Sequence, residues 1–125
     1  MAQLELTPTT LIVHITGLDK LWTLTSRLDI PLAHITGATI DPAIAYAGPP
    51  GWRLGAYVPG VLAVGSFATV DGRVFWDVHH PANAIVIYLT DETYRGLVIE
   101  VAEPEIATIA IARAVRAYRL SHGGA

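Results

Sequence analysis

Residues 61–101 read VLAVGSFATVDGRVFWDVHHPANAIVIYLTDETYRGLVIEV, and this stretch decides the fold. Valine, isoleucine, threonine and aromatic residues recur there in short runs bounded by turn formers, the pattern of strands joined by tight turns. Val61 to Val70 and Arg73 to His79 flank Asp71-Gly72, a pair that favours a type I′ turn. His80-Pro81-Ala82-Asn83 then turns the chain into Ala84 to Thr90, and Asp91-Glu92-Thr93 turns it again into Arg95 to Val101. Four consecutive strands with short connections predict an antiparallel meander.

Downstream, Glu103-Pro104-Glu105 starts a helix expected over about residues 103–121, because proline at the first turn gives up no hydrogen bond and acidic groups suit the positive end of the dipole. Wound at about 100° per residue, Ile106, Ala107, Ala110, Ile111, Ala114, Val115, Ala117 and Tyr118 form one apolar arc able to lie on a sheet. Upstream, Leu4 to Leu6 and Leu11 to Ile15 flank the turn Thr7-Pro8-Thr9-Thr10 and predict an opening hairpin with Leu11, Val13 and Ile15 on its inner face. Leu28 to Ile30 and Ile35 to Ile40 read as further strands, and Gly17 to Leu24 as a short helix, although its Trp and Thr residues also suit a strand. Residues 41–60 hold four prolines and four glycines, a density that predicts one long loop.

The whole chain, 1–125, is therefore expected to be a single domain, mostly β with one C-terminal helix. Its composition is 52% hydrophobic and only 15% charged, against a usual charged share of about 25%. Polar surface is scarce, so some apolar surface is expected to meet a partner and the chain to be a homo-oligomer. Net charge is −3 and Lys20 is the sole lysine, which disfavours nucleic acid and anionic membranes, both of which demand a broad basic field. Cysteine is absent, excluding disulfides, thiolate nucleophiles and cysteine-ligated zinc. The start MAQLELTPTT lacks the basic and apolar segments of a signal peptide, and no apolar run reaches the roughly 18 residues of a membrane span, so the expected location is cytoplasmic.

Five segments, GLDKLWTL followed by DIPLAHITG, then YVPGVLAVGSF, GRVFWDVHHPANAIVIYL and LVIEVAEPEIATIAIARA, together make the chain resemble the bacterial PH-like domains, small proteins of pleckstrin-homology fold. The resemblance spans nearly the whole chain. It implies a partly open antiparallel β-barrel of about seven strands capped by the amphipathic helix, with ring-forming homo-oligomers among its members. Relatives of that fold that bind phosphoinositides use lysines and arginines in the first hairpin, where this chain has only Lys20 beside Asp19, so phosphoinositide binding is not expected.

Within the 41–60 segment, Tyr46, Trp52, Arg53 and Tyr57 are the leading ligand or partner candidates, because amphipathic aromatics and arginine are enriched at binding hot spots. Their plainer role is to cover a sheet edge. Phe75 and Trp76 alternate on one strand, so one belongs to the core and the other lies under that segment or a neighbouring subunit. Ile109 and Leu120 break the polar face of the helix beside Arg113 and Arg116, which makes these four the interface candidates. Asp77, His79 and His80, with His14 elsewhere, are too few convergent ligands for a metal site, and Ser66 lacks the glycines of a nucleophile elbow. The expected function is a non-enzymatic self-association module without cofactor or metal. The alternative is a small-molecule or lipid-binding barrel using the aromatics of 41–60, and a metal-dependent enzyme at His79 and Asp77 is a distant third.

Overall fold

The computed structural model describes residues 2–17, 26–49, 52–59, 62–69 and 72–122, with backbone alone at 52–54 and 69. Among these residues nine strands form: β1 (Ala2–Leu6), β2 (Thr10–Ile15), β3 (Arg27–Pro31), β4 (Ile35–Ile40), β5 (Trp52–Val58), β6 (Leu62–Thr69), β7 (Gly72–Val78), β8 (Ala84–Leu89) and β9 (Tyr94–Glu100). Two α-helices accompany them, α1 (Pro42–Ala47) and α2 (Pro104–Ser121). The protein is thus mostly β with one long C-terminal helix. The segment read as a helix at Gly17 to Leu24 falls, from Leu18 on, outside the described residues.

The opening hairpin forms as its sequence predicts. The Thr7 hydroxyl accepts the N–H groups of Thr9 and Thr10, and the Thr7 N–H donates to the Thr10 carbonyl at 2.9 Å, so Leu6 and Leu11 face each other across the turn. β1, β2 and β3 make a three-stranded antiparallel sheet. Its inner residues Leu11, Val13 and Ile15 pack on Phe75, Ile85, Ile87, Leu97 and Ile99 of a second, six-stranded sheet, and Ile111 and Val115 of α2 complete that core.

The expected meander does not form. In the six-stranded sheet the order is β4-β8-β9-β7-β6-β5, so β9 inserts between β8 and β7 and runs parallel to β7. The reason lies in β9 itself, which is buried at every position from Gly96 to Glu100. A strand apolar on both faces is stable only at the centre of a sheet covered on both sides, whereas a meander would leave it at an edge. The hairpin of β6 and β7 does form, with Thr69 paired to Gly72, which puts Gly72 in the ladder and not in the turn.

Nor do the sheets close into a barrel: each is open, and nine strands replace the expected seven. The long loop of 41–60 is also corrected. Asp41 Oδ1 accepts the Ile44 N–H at 3.1 Å and Pro42 occupies the first turn, which together start α1, and β5 follows it. The glycine that read as a loop breaker, Gly55, is opposite Gly65 with φ +153°, and a Cβ on it would lie 2.1 Å from the Val64 carbonyl oxygen. It serves a close approach of two strands.

Along α2 the buried stripe, Ile111 and Val115 flanked by Ala107, Ala114 and Tyr118, is narrower than the predicted arc. Ile106 and Ala117 are exposed, because at 100° per residue they lie about 140° and 120° round from Ile111.

Candidate functional site

Strand alternation gives the six-stranded sheet a second apolar face, turned away from the three-stranded sheet. Trp76, Val78, Ala84, Val86 and Val98 cluster there with Phe67, Ala63 and Ala45 of α1, while Phe75 points into the main core. The alternating pair therefore divides as expected: Phe75 is in the core, and Trp76, 2% exposed, lies on the face that α1 partly covers. Phe67 meets the Trp76 ring edge to face at 6.2 Å.

Where α1 stops short, this face opens into a cavity of about 470 Å³ walled by Ile44, Val74, Trp76, Val86, Tyr88 and Val98. The hollow exists because small residues line it. Gly96 on β9 is flanked by Tyr88 on one neighbouring strand and Val74 on the other, so a side chain is missing between two large ones. Gly48 at the end of α1, with φ +81°, leaves room for the Tyr57 hydroxyl, which would lie 2.2 Å from a Cβ there. Gly72 similarly admits the stem of Arg95. The indole N–H of Trp76 is buried and has no hydrogen-bond partner among the described residues. An unmade buried donor costs about 1–3 kcal/mol.

Of the predicted contact residues whose side chains are described, neither Tyr46 nor Tyr57 lines this cavity. Tyr46, 67% exposed on α1, and the half-buried Tyr57 on β5 instead border a small recess with Val58, Ala63, Val78 and His79. Trp52 and Arg53 belong to β5, and their side chains lie outside the described residues. The aromatics of 41–60 are thus divided between a helix and a strand. The cavity residues went unrecognised because their signal is cross-strand. Gly96 looks unremarkable in sequence, and becomes a gap only when the register sets it between Tyr88 and Val74.

The interface candidates do share a surface. Ile109 and Leu120 are 53% and 76% exposed, and Arg113 and Arg116 are exposed beside them on the outer face of α2.

Around the histidines, a buried carboxylate governs the geometry. Glu100, 4% exposed at the end of β9, accepts the backbone N–H groups of His79 and His80 on Oε1 at 2.8 and 3.0 Å, and its Oε2 lies 2.8 Å from His80 Nδ1. Burial alone would raise its pKa, but these bonds favour the ionised form and hold it below the ordinary value. Glu100 thereby ties down the connection that carries the chain from β7 past β9 to β8. Asp77 shares the inner side of β7 with Phe75, and His14 pairs with Glu5 Oε1 at 3.0 Å on the other sheet. Among the described residues no three histidine or acidic side chains gather as metal ligands would. Ser66 is a ladder residue of β6, its hydroxyl 2.7 Å from that of Tyr94. Among the described residues no helix is long and apolar enough to cross a membrane.

Comparison with protein-family models, curated proteins and solved structures finds no match for this chain.

Proposed function

We propose that the protein is a non-enzymatic binding module that holds a small, largely apolar molecule on the outer face of its six-stranded sheet. The observation that carries this reading is the cavity beneath the end of α1, whose volume lies within the roughly 300–1,000 Å³ of small-molecule sites and whose walls are nearly all apolar. Empty apolar surface of that kind is costly in water, and a bound molecule removes the cost. Native mass spectrometry of freshly purified protein tests it: a reproducible extra mass is expected, absent from Val74→Trp, which fills the cavity from a half-buried position. Bare chain mass together with no saturable uptake of anilinonaphthalene sulfonate overturns it.

A second reading, self-association, is favoured by the exposed apolar residues of α2. Ile106, Ile109 and Leu120 continue with Arg113 and Arg116 in steps of three and four, the spacing of a helix–helix seam. Light scattering distinguishes a homo-oligomer from a 13.4 kDa monomer. Kinship with the bacterial PH-like domains and a cytoplasmic location belong to the same proposal. The quoted sequence segments support the kinship, while nine strands, open sheets and a parallel pair depart from the barrel it implies.

A further inference from the structure

β4 forms one edge of the six-stranded sheet, and the C-terminal half of α2 runs beside it. Between them lies a groove of about 450 Å³ in which Ala38 of β4 faces Ile111, Val115, Arg116, Arg119 and Leu120 of α2. This groove is independent of the cavity on the outer sheet face.

The pairing register determines which backbone groups border it. The Asp41 N–H donates to the Ala84 carbonyl at 3.3 Å, and the pairs Thr39 with Val86 and Gly37 with Tyr88 repeat that bonded position every second residue. Ala38 and Ile40, opposite Ile87 and Ile85, therefore aim their N–H and C=O groups away from β8. Among the described residues no backbone group pairs with them there. Such an edge is a template for one more strand.

Charge indicates what kind of strand. Asp and Glu outnumber Lys and Arg by 11 to 8 in the chain, yet two arginines and no acidic residue line this groove. Arg119 already reaches the edge, donating from Nη2 to the Ile35 carbonyl at 3.2 Å, and a guanidinium carries further N–H groups in a fork suited to a carboxylate. The floor provided by Ile111 and Val115 is apolar.

We propose that this groove docks an extended acidic segment of a partner protein, which adds to β4 as a seventh strand and sets a carboxylate against Arg116 and Arg119. Apolar side chains at alternate positions of the segment would meet the floor, the division of labour general to strand addition. A second copy of this chain is the less favourable occupant. A twofold contact through the same groove would set the arginines of both copies against one another.

The test uses a fluorescein-labelled, terminally blocked nine-residue peptide alternating valine with glutamate, and its counterpart alternating valine with lysine. Fluorescence anisotropy is expected to show saturable binding of the glutamate peptide alone, weakened about ten-fold by Arg116→Glu and further by added salt. Amide shifts in a two-dimensional NMR spectrum should concentrate on residues 36–40 and 111–120. Ala38→Pro removes an outward N–H, a change that an edge strand tolerates, and should weaken binding while leaving the circular dichroism spectrum intact. Equal binding of the two peptides overturns the proposal, as does the absence of binding up to millimolar concentration. A dimer dissolved by Ala38→Pro, a residue of the groove that is not on the outer face of α2, would identify a second copy as the occupant and likewise overturn it.

Discussion

Replacing Glu100 separates the contribution of its charge from that of its shape. In Glu100→Ala, two backbone N–H groups and the His80 ring lose their acceptor. Hydrogen bonds to a charged group contribute about 1.5–3 kcal/mol each, and because water reaches the exposed His80 once the carboxylate is gone, the loss should be about 2–4 kcal/mol in all. Against a total stability of roughly 6–19 kcal/mol for 125 residues, that is a large fraction. Glu100→Gln keeps an oxygen for the two N–H groups but loses the charge, so its cost should be about 1–2 kcal/mol at neutral pH. The pH dependence follows from the direction of the pKa shift. Because the folded protein holds the Glu100 pKa below its ordinary 4.5, ionised Glu100 contributes stability that is complete above about that pH and is lost as pH falls through the folded value. The difference between wild type and Glu100→Gln, measured by urea unfolding at a series of pH values, should stay constant from pH 7 to about 5 and shrink below 4.5. An unchanged difference at pH 3.5, or a Glu100→Ala variant within about 1 kcal/mol of wild type, would refute the assignment of this carboxylate as the anchor of the β7–β8 connection.

Three further variants probe the rest of the fold. Trp76→Phe removes a buried indole N–H that makes no hydrogen bond among the described residues. Relief of about 1–3 kcal/mol should therefore offset most of the lost packing, leaving urea-measured stability within about 1 kcal/mol of wild type; a loss above 3 kcal/mol would mean the donor is in use. Gly55→Ala drives a methyl group into the Val64 carbonyl, so thermal unfolding should show a loss of about 2 kcal/mol or more, far beyond an ordinary glycine-to-alanine change in a strand. The double change Ile109→Glu and Leu120→Glu, both on exposed positions of α2, should leave the melting temperature within a few degrees while abolishing any self-association seen by light scattering.

Periodicity sufficed where the answer depends on neighbours in the chain. The alternation Leu11, Val13, Ile15 marked the inner face of the hairpin, Pro104 marked the start of α2, and Phe75 and Trp76 had to face opposite ways, because all three follow from local backbone geometry. The candidate cavity was not legible in this way. It is a property of register, made where Gly96 falls between Tyr88 and Val74, and no spacing within one strand records it.

Local signals also misdirected. Prolines and glycines in 41–60 read as a loop, yet Pro42 starts a helix and Gly55 allows two strands to approach closely, so the same residues punctuate structure in one setting and permit it in another. Sequence alone determined that this chain would be mostly β, closed by an amphipathic C-terminal helix, since apolar period and capping residues are local. Only the tertiary structure decided that β9 enters the sheet between β8 and β7, parallel to the latter. Strand order is chosen by the burial of whole faces: β9 is apolar on both sides and takes the centre, with Glu100 tying down the connection that passes it.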